Sequence, residues 1–519
     1  MRKNTNAELV LDEKLKSIYF SEQDTVALDT GVIITTNFES PAIELIKHHI
    51  QSHTDDFPEL LGMTLRVERC ESPQITKYIE RISQKEQAAF GLDDETASVI
   101  GDDAHKLLQD AVNLDCSDIH IELYEHEVRL LARVDGRIIP LQKSIPDHEY
   151  GSHLIGYLFN QLAVDTDRDF YHNKTNNGRI ELELTTPEGK RNTSWRISYI
   201  YAKNKGGQAV LRWTNKNVTI PNLTQLGWEG GQIKVLKRFL ESPSGACLIA
   251  GQVGSGKSTT MAAALNSVKN TGRSINTLED PVEFDIGIMQ TSVLGGAEEL
   301  NELIKLLLRH DVDIEMHGEM RGQAGAMAVC RKSESGQLMF STLHTSSPIG
   351  IAHTLHEQWH VPLSIISAPN LMKLWIYQTL VRTLCPHCKI PHDSALTQMS
   401  DIEKEKYRQW QVHDVDTSLM HFKNPQGCEH CYQGEKGRTS IVEMLVLDDE
   451  DRQYILANDH LGWIKALKNK GYKDVLDHAN LKIMRGEIDL FTAAERVNGL
   501  CEQETQAVYE HIFDEHEVT

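Results

Sequence analysis

One run of eight residues constrains this chain of 519 more than anything else in it: Gly251-Gln252-Val253-Gly254-Ser255-Gly256-Lys257-Ser258. It matches in full the loop G-x-x-x-x-G-K-[ST], whose backbone N–H groups cradle phosphates between the end of a strand and the N-terminus of a helix. Both flanks agree with that setting. Residues 246–250 form a short apolar run suited to a buried strand, and the Ala-rich stretch 259–268 reads as a helix. Glycines let the backbone approach an anion closely, Lys257 is expected to reach the β- and γ-phosphates of ATP, and the Ser258 hydroxyl to ligate Mg²⁺. The expected lining of the nucleotide is therefore Gly251, Gln252, Val253, Gly254, Ser255, Gly256, Lys257, Ser258 and Thr259.

Around this loop the pattern is that of an α/β core: short apolar strands at 246–250, 274–278, 314–317 and 337–343, separated by helices, each running into unusual polar residues. In open parallel sheets ligands sit beyond the carboxyl ends of the strands, so this placement suits an active site. The second strand ends in Glu279-Asp280-Pro281-Val282-Glu283, three carboxylates in five residues, fit for positioning water and coordinating a metal; Glu279 is the candidate. The third closes on Glu319, followed by Arg321, the arrangement that supplies a water-activating acid in nucleotide hydrolases. Strands of that kind are ordinarily apolar, and Glu315 and His317 are not. The fourth delivers Ser341-Thr342-Leu343-His344-Thr345, where His344 is placed to sense the γ-phosphate by hydrogen bonding; the alternative is a satisfied structural histidine.

Upstream, 96–220 reads as an α+β domain, with an amphipathic helix over 104–112 and alternating strands at 118–123, 128–134, 194–201 and 208–213. Residues 1–95 carry no catalytic signature and read as a separate module. Downstream, Cys385-Pro386-His387-Cys388 and Cys428-Glu429-His430-Cys431 have the C-x₂-C…C-x₂-C form of a closed zinc site, with Cys385, Cys388, Cys428 and Cys431 as ligands rather than His387 or His430. The intervening residues look too polar to bury a core, so the ion is expected to hold the lobe in shape. This zinc-binding subdomain would occupy 381–445, between an ATPase core at 221–380 and a helical region at 446–519.

Lys+Arg 53 against Asp+Glu 75 leaves a net charge of −22, and no basic cluster stands out along the chain, so the long-range field repels nucleic acid. Apolar runs fall short of the roughly 18 residues that cross a bilayer. The start, Met1-Arg2-Lys3-Asn4-Thr5, lacks the apolar core of a secretory signal. The expectation is a cytoplasmic protein with no transmembrane segment.

Together these motifs resemble the secretion ATPase superfamily that drives type II secretion and assembles type IV pili. The phosphate loop, the acidic box at 279–283, the Walker B segment ending at Glu319 and the histidine box at 341–345 fall in that family's order, and the cysteine pairs follow as in its assembly branch. Cys116-Ser117-Asp118-Ile119-His120-Ile121-Glu122 and Arg133-Val134-Asp135-Gly136 resemble the opening of its second N-terminal domain, and Lys482 to Glu487 and Ala494 to Val497 its C-terminal helices. The resemblance implies a RecA-like P-loop NTPase core preceded by a PAS-like α+β domain, with a Cys₄ zinc subdomain and C-terminal helices. It implies a homo-hexamer held at the inner membrane by a platform protein, and a role for Arg179, Arg196 and Arg212 in closing over the nucleotide. Gly322 stands where the family commonly has an acidic residue, and together with Glu315 and His317 it points to a divergent system of the type IVb kind.

Two other readings compete. A nucleic-acid-dependent P-loop motor, a helicase or translocase, would need basic and aromatic residues along a channel, yet aromatic residues are only 6% of the chain. A zinc-stabilised scaffold without turnover rests only on the altered Walker B segment.

Overall fold

The computed structural model describes residues 9–511 apart from 23, 71–73, 76–77, 80–93, 168–169, 204–205, 217–218, 294–295, 411–415 and 503–504. The expected first domain boundary adjoins 80–93 and so lies at the edge of the described residues. Two compact units emerge, one comprising Met1–Val134 with Ile138–Trp213 and the other Asp135–Arg137 with Thr214–Thr519.

In the first unit, β1 (Thr25–Ala27), β2 (Val32–Thr35) and β3 (Arg66–Arg69) form a small sheet. Leu15, Tyr19, Ile33 and Ile46 close its core with the helices Glu13–Glu22 and Pro41–Ser52. The second helix starts where it does because Pro41 is tolerated in a first turn and the Ser40 hydroxyl accepts from the Ala42 N–H.

The same unit holds a seven-stranded sheet in the order β6-β5-β4-β10-β9-β8-β7. Its strands are β4 (Asp118–Leu123), β5 (Val128–Val134), β6 (Arg137–Pro140), β7 (Ala163–Thr166), β8 (Asn176–Thr186), β9 (Gly189–Tyr201) and β10 (Gly207–Trp213). Ile119, Ile121, Trp195, Ile197 and Leu211 face one side and are buried with Ala104, Leu108 and Ala111 of the helix Asp94–Asn113. That helix starts upstream of the 104–112 expected, and Ile100 carries its apolar stripe one turn further.

The second unit is built on another seven-stranded sheet, ordered β13-β12-β14-β15-β11-β16-β19. Its strands are β11 (Gly245–Ala250), β12 (Ile275–Glu279), β13 (Met289–Ser292), β14 (Ile314–His317), β15 (Leu338–Leu343), β16 (Met372–Leu384) and, after β17 (Ile390–Pro391) and β18 (His421–Phe422), β19 (Glu435–Val446). All pairings from β13 to β16 are parallel and only β19 is antiparallel, so both faces must be covered. Strand β11 shows how. Ala246, Leu248 and Ala250 enter one core and Cys247 and Ile249 the other, and the whole strand is buried. Full burial of a side chain the size of Leu248 or Ile249 contributes about 1.5–3 kcal/mol.

The segment between the cysteine pairs departs from expectation. Ala395, Met399, Trp410, Met420 and Phe422 are buried with Ala479, Ile483 and Leu490 of the C-terminal helices and with Ile488 between them. The apolar residues are few and dispersed, so the segment looks coreless alone; its core is borrowed from later sequence.

The unusual residues of β14 also find a reason. Glu315 and His317 point away from the face occupied by Met316, and Glu315 Oε1 lies 2.6 Å from His317 Nε2 while Glu315 Oε2 accepts from Lys332 Nζ on the helix Gln323–Glu334. All three side chains are essentially without solvent contact. Burial alone would push the Glu315 carboxyl up, but the hydrogen bonds and charges of His317 and Lys332 hold it below its ordinary value. The triad thus pins a helix to the strand that leads to Glu319. Lys332→Ala leaves a buried carboxylate without its cation and is expected to cost about 3–5 kcal/mol in urea unfolding, whereas Glu315→Leu with Lys332→Met should recover most of it. A loss under about 1 kcal/mol for Lys332→Ala would show that the three groups are not an ionised cluster.

Candidate functional site

The carboxyl ends of the parallel strands bring the polar residues together. Immediately after β11 comes the loop 251–256, and the helix Lys257–Asn266 begins at Lys257 with Gly256 as its N-cap in the left-handed region (φ +81°). A side chain at Gly251 would stand 2.3 Å from the Gln378 carbonyl oxygen and 2.5 Å from Ser255 Oγ, so only glycine fits. Lys257 Nζ donates to the carbonyls of Gly251 (2.8 Å) and Gln252 (3.0 Å), reaching across the loop. Ser255 Oγ is buried without a hydrogen-bond partner. Free amides at a helix start, a lysine resting on loop carbonyls and an orphaned hydroxyl together fit a phosphate chain. Ser258 and Thr259 open the helix, and Ser258 is exposed, as a hydroxyl that takes a cation must be.

A continuous polar chain leads from this loop across the neighbouring strand ends. His344, just past β15, lies with Nδ1 3.0 Å from the Gly251 carbonyl and Nε2 3.3 Å from Glu319 Oε1. A carbonyl only accepts, so Nδ1 carries the proton. Glu319, two residues past β14, is also held through Oε2 by Arg321 (Nη2, 3.0 Å), and Arg321 Nη1 reaches Asp280 Oδ2 beyond β12 at 3.3 Å. Glu279, at the end of β12, accepts from Thr277 Oγ1 (2.6 Å) and Gln290 Nε2 (2.9 Å), so its carboxylate is oriented but not in the chain. The sequence order loop, acidic box, Glu319, His344 becomes the spatial order Asp280, Arg321, Glu319, His344, Gly251, following the strand order β12-β14-β15-β11.

Arg179, Arg196 and Arg212 stand in the first unit, where strand register joins them. Arg133, Asp118, Arg212, Arg196, Arg179 and Asp165 face one another pairwise across six neighbouring strands, on the side opposite the buried residues. Arg212 Nε bonds Asp118 Oδ1 at 2.8 Å and Arg179 bonds Asp165 at 2.9 Å. Arg196 is exposed between two like charges and, among the described residues, makes no ion pair. Sequence reading saw no basic cluster because these residues lie far apart along the chain.

Among the described residues, one group of side chains could hold a metal: Cys385, Cys388, Cys428 and Cys431, with all sulfurs within 4.8 Å of one another. Neighbouring sulfurs are 3.8, 3.6 and 3.6 Å apart. A tetrahedron with Zn–S arms of about 2.3 Å has edges of about 3.8 Å, so the donor set and its spacing fit zinc. The His387 and His430 rings meet at 4.3 Å, tilted by 44°, and contribute no nitrogen to the cluster.

With the loop, the acid and the cysteine cluster in place, comparison with known proteins decides the family. A family model described as "Type II/IV secretion system protein" matches residues 93–503. This chain belongs to the type II/IV secretion ATPase family. It is similar to the "Putative type II secretion system protein E" of Escherichia coli (29% identity over 443 residues, 83% of this chain and 85% of that one). It is also similar to the "Type II secretion system ATPase E" of Vibrio cholerae (32% over 353 residues, 67% and 65%) and to the "Type IV pilus assembly ATPase PilB" of Pseudomonas aeruginosa (27% over 413 residues, 78% and 69%). In fold it matches the Legionella pneumophila ATPase DotB, with a TM-score of 0.54 at 19% identity over 74% of this chain and 92% of that one. This family member is thus a type II secretion or type IV pilus assembly ATPase, with an α/β core of the secretion ATPase fold.

Electrostatics of this secretion ATPase make its lysine pH-sensitive. Burial pushes the Lys257 amine down to about 8, with Glu319 partly opposing. Phosphates favour the charged amine, so affinity for Mg-ATP should be level below about pH 7 and weaken by up to about tenfold per unit as pH rises through 8. Titration calorimetry between about pH 6.5 and 9.5 checks this, and a flat profile would refute it.

Proposed function

We propose that this protein is a hexameric motor that couples ATP hydrolysis at the loop 251–258 to pilus assembly or protein secretion. The observation carrying the reading is the polar chain from Gly251 through His344, Glu319 and Arg321 to Asp280, which joins the phosphate loop to an acid. ATP and Mg²⁺ would be held by the backbone of 251–259, Lys257 and the Ser258 hydroxyl; the ion supplies charge neutralisation at the phosphates. Glu319 would accept the proton of the attacking water, Glu279 would help orient that water, and His344 would relay phosphate occupancy to Glu319 because it touches both loop and acid. The arginine row supplies further positive charge, with Arg196 the available donor between Arg179 and Arg212; like charges set side by side on a sheet face repel, and an anion relieves that repulsion.

Glu319→Gln keeps shape and loses the proton acceptor. It should bind ATP, fall to about 1% or less of parental turnover, and run as a six-subunit species by mass measurement in ATP. Parental turnover in this variant would transfer the role of acid to Glu279. Arg196→Ala should lower turnover with the unfolding midpoint unchanged.

The four thiolates would hold one zinc ion with no open position for water, a structural site. Among the described residues no helix is long and apolar enough to cross a membrane, so attachment to an inner-membrane platform from the cytoplasm would run through a protein contact, for which this lobe is suited. Metal analysis should find one zinc per chain. Cys385→Ser with Cys388→Ser should lose it and stop cellular secretion or piliation, while purified protein keeps most of its basal hydrolysis. A metal-free parent that still supports the cellular process would overturn the assignment.

A further inference from the structure

One buried amide touches the phosphate loop from a strand that the motif does not include. Gln378 lies on β16, one residue past the Ala250–Tyr377 pairing, and only 1% of it is exposed. Its Nε2 donates to the Ser255 carbonyl at 2.7 Å, and its Oε1 accepts at 2.8 Å from Oγ1 of Thr260, a fully buried residue in the first turn of the helix Lys257–Asn266. The amide orientation follows from the chemistry of its partners. A carbonyl can only accept, so the group facing Ser255 O must be the NH₂, while the Thr260 hydroxyl adapts to the oxygen.

We propose that Gln378 is the positioning residue of the ATP site, holding the Ser255–Gly256 peptide so that its N–H faces the phosphates. A trans peptide carries its C=O and N–H on opposite sides. Drawing the Ser255 oxygen toward β16 therefore turns the Gly256 N–H away from β16, into the cradle. The second bond, to Thr260, ties the same amide to the helix whose N-terminus completes that cradle. Loop and helix are fixed to one side chain, and the loop's glycines leave room for it: a Cβ at Gly256 would stand 3.0 Å from Gln378 Nε2. Without the amide, the glycine-rich peptide is free to rotate and would have to be ordered at the moment of binding.

The inference rests on the loop binding ATP, and Gln378→Glu tests it separately from that reading. The carboxylate keeps its acceptor for Thr260 but turns an oxygen toward the Ser255 carbonyl. A buried carboxyl is pushed up by desolvation, and once protonated it donates to that carbonyl as the amide did. Relative to the parent at the same pH, affinity of Gln378→Glu for Mg-ATP should be about tenfold weaker at pH 8 and return to within about threefold at pH 6. Gln378→Met, of similar shape, should be weaker by one factor at both pH values, and thermal melts of both variants check that they are folded. Parental affinity in Gln378→Glu at both pH values, or an equal loss at both, would overturn the proposal. A parent that binds no Mg-ATP would instead sink the reading of the loop as an ATP site.

Discussion

A parallel sheet covered on both faces can bury backbone only while each strand pairs with its neighbours, so polar chemistry must emerge where strands end. That constraint organises the second unit. Strands β11 and β15 are buried at every position, and β12 and β14 run beside them in the same direction. Their carboxyl ends therefore open on one edge, and the residues just beyond them meet. Glu319 can touch His344, and Arg321 can reach Asp280, because β14 lies between β12 and β15.

Holding such a strand in place is a packing problem, and this chain solves part of it with charge. A buried carboxylate on β14 is tolerable only because His317 and Lys332 satisfy both its oxygens. Arg382 makes a comparable tie on β16, where it bonds Glu435 at 2.8 Å and Glu495 at 3.0 Å. The cysteine-rich lobe is anchored differently, through apolar residues shared with the C-terminal helices, so its shape depends on chain far from its own cysteines.

The first unit presents the opposite economy. Its sheet hides one face and leaves the other to solvent, where antiparallel register sets four arginines in line with two aspartates. Arg133, Arg179 and Arg212 are paired with those aspartates and Arg196 is not.

What the sequence alone determined is what consecutive residues determine. The loop 251–258 and the acidic and histidine boxes were legible because their chemistry is local: glycines, a lysine and carboxylates at fixed offsets, next to apolar runs that can only be buried strands. The α/β core, and with it the secretion ATPase family, followed from their order. Tertiary structure decided everything that rests on pairing across distance. Gln378 stands over a hundred residues beyond Ser255 and reads as one polar residue in a buried strand; only the adjacency of β16 and β11 puts its amide on the loop. The arginine row needs the strand register, and Lys332, silent in the sequence, becomes the partner of Glu315 only when its helix packs on β14. Side-chain type is written in the sequence, but a hydrogen bond or ion pair needs two groups within about 3 Å, and for residues far apart along the chain that distance is set by packing alone.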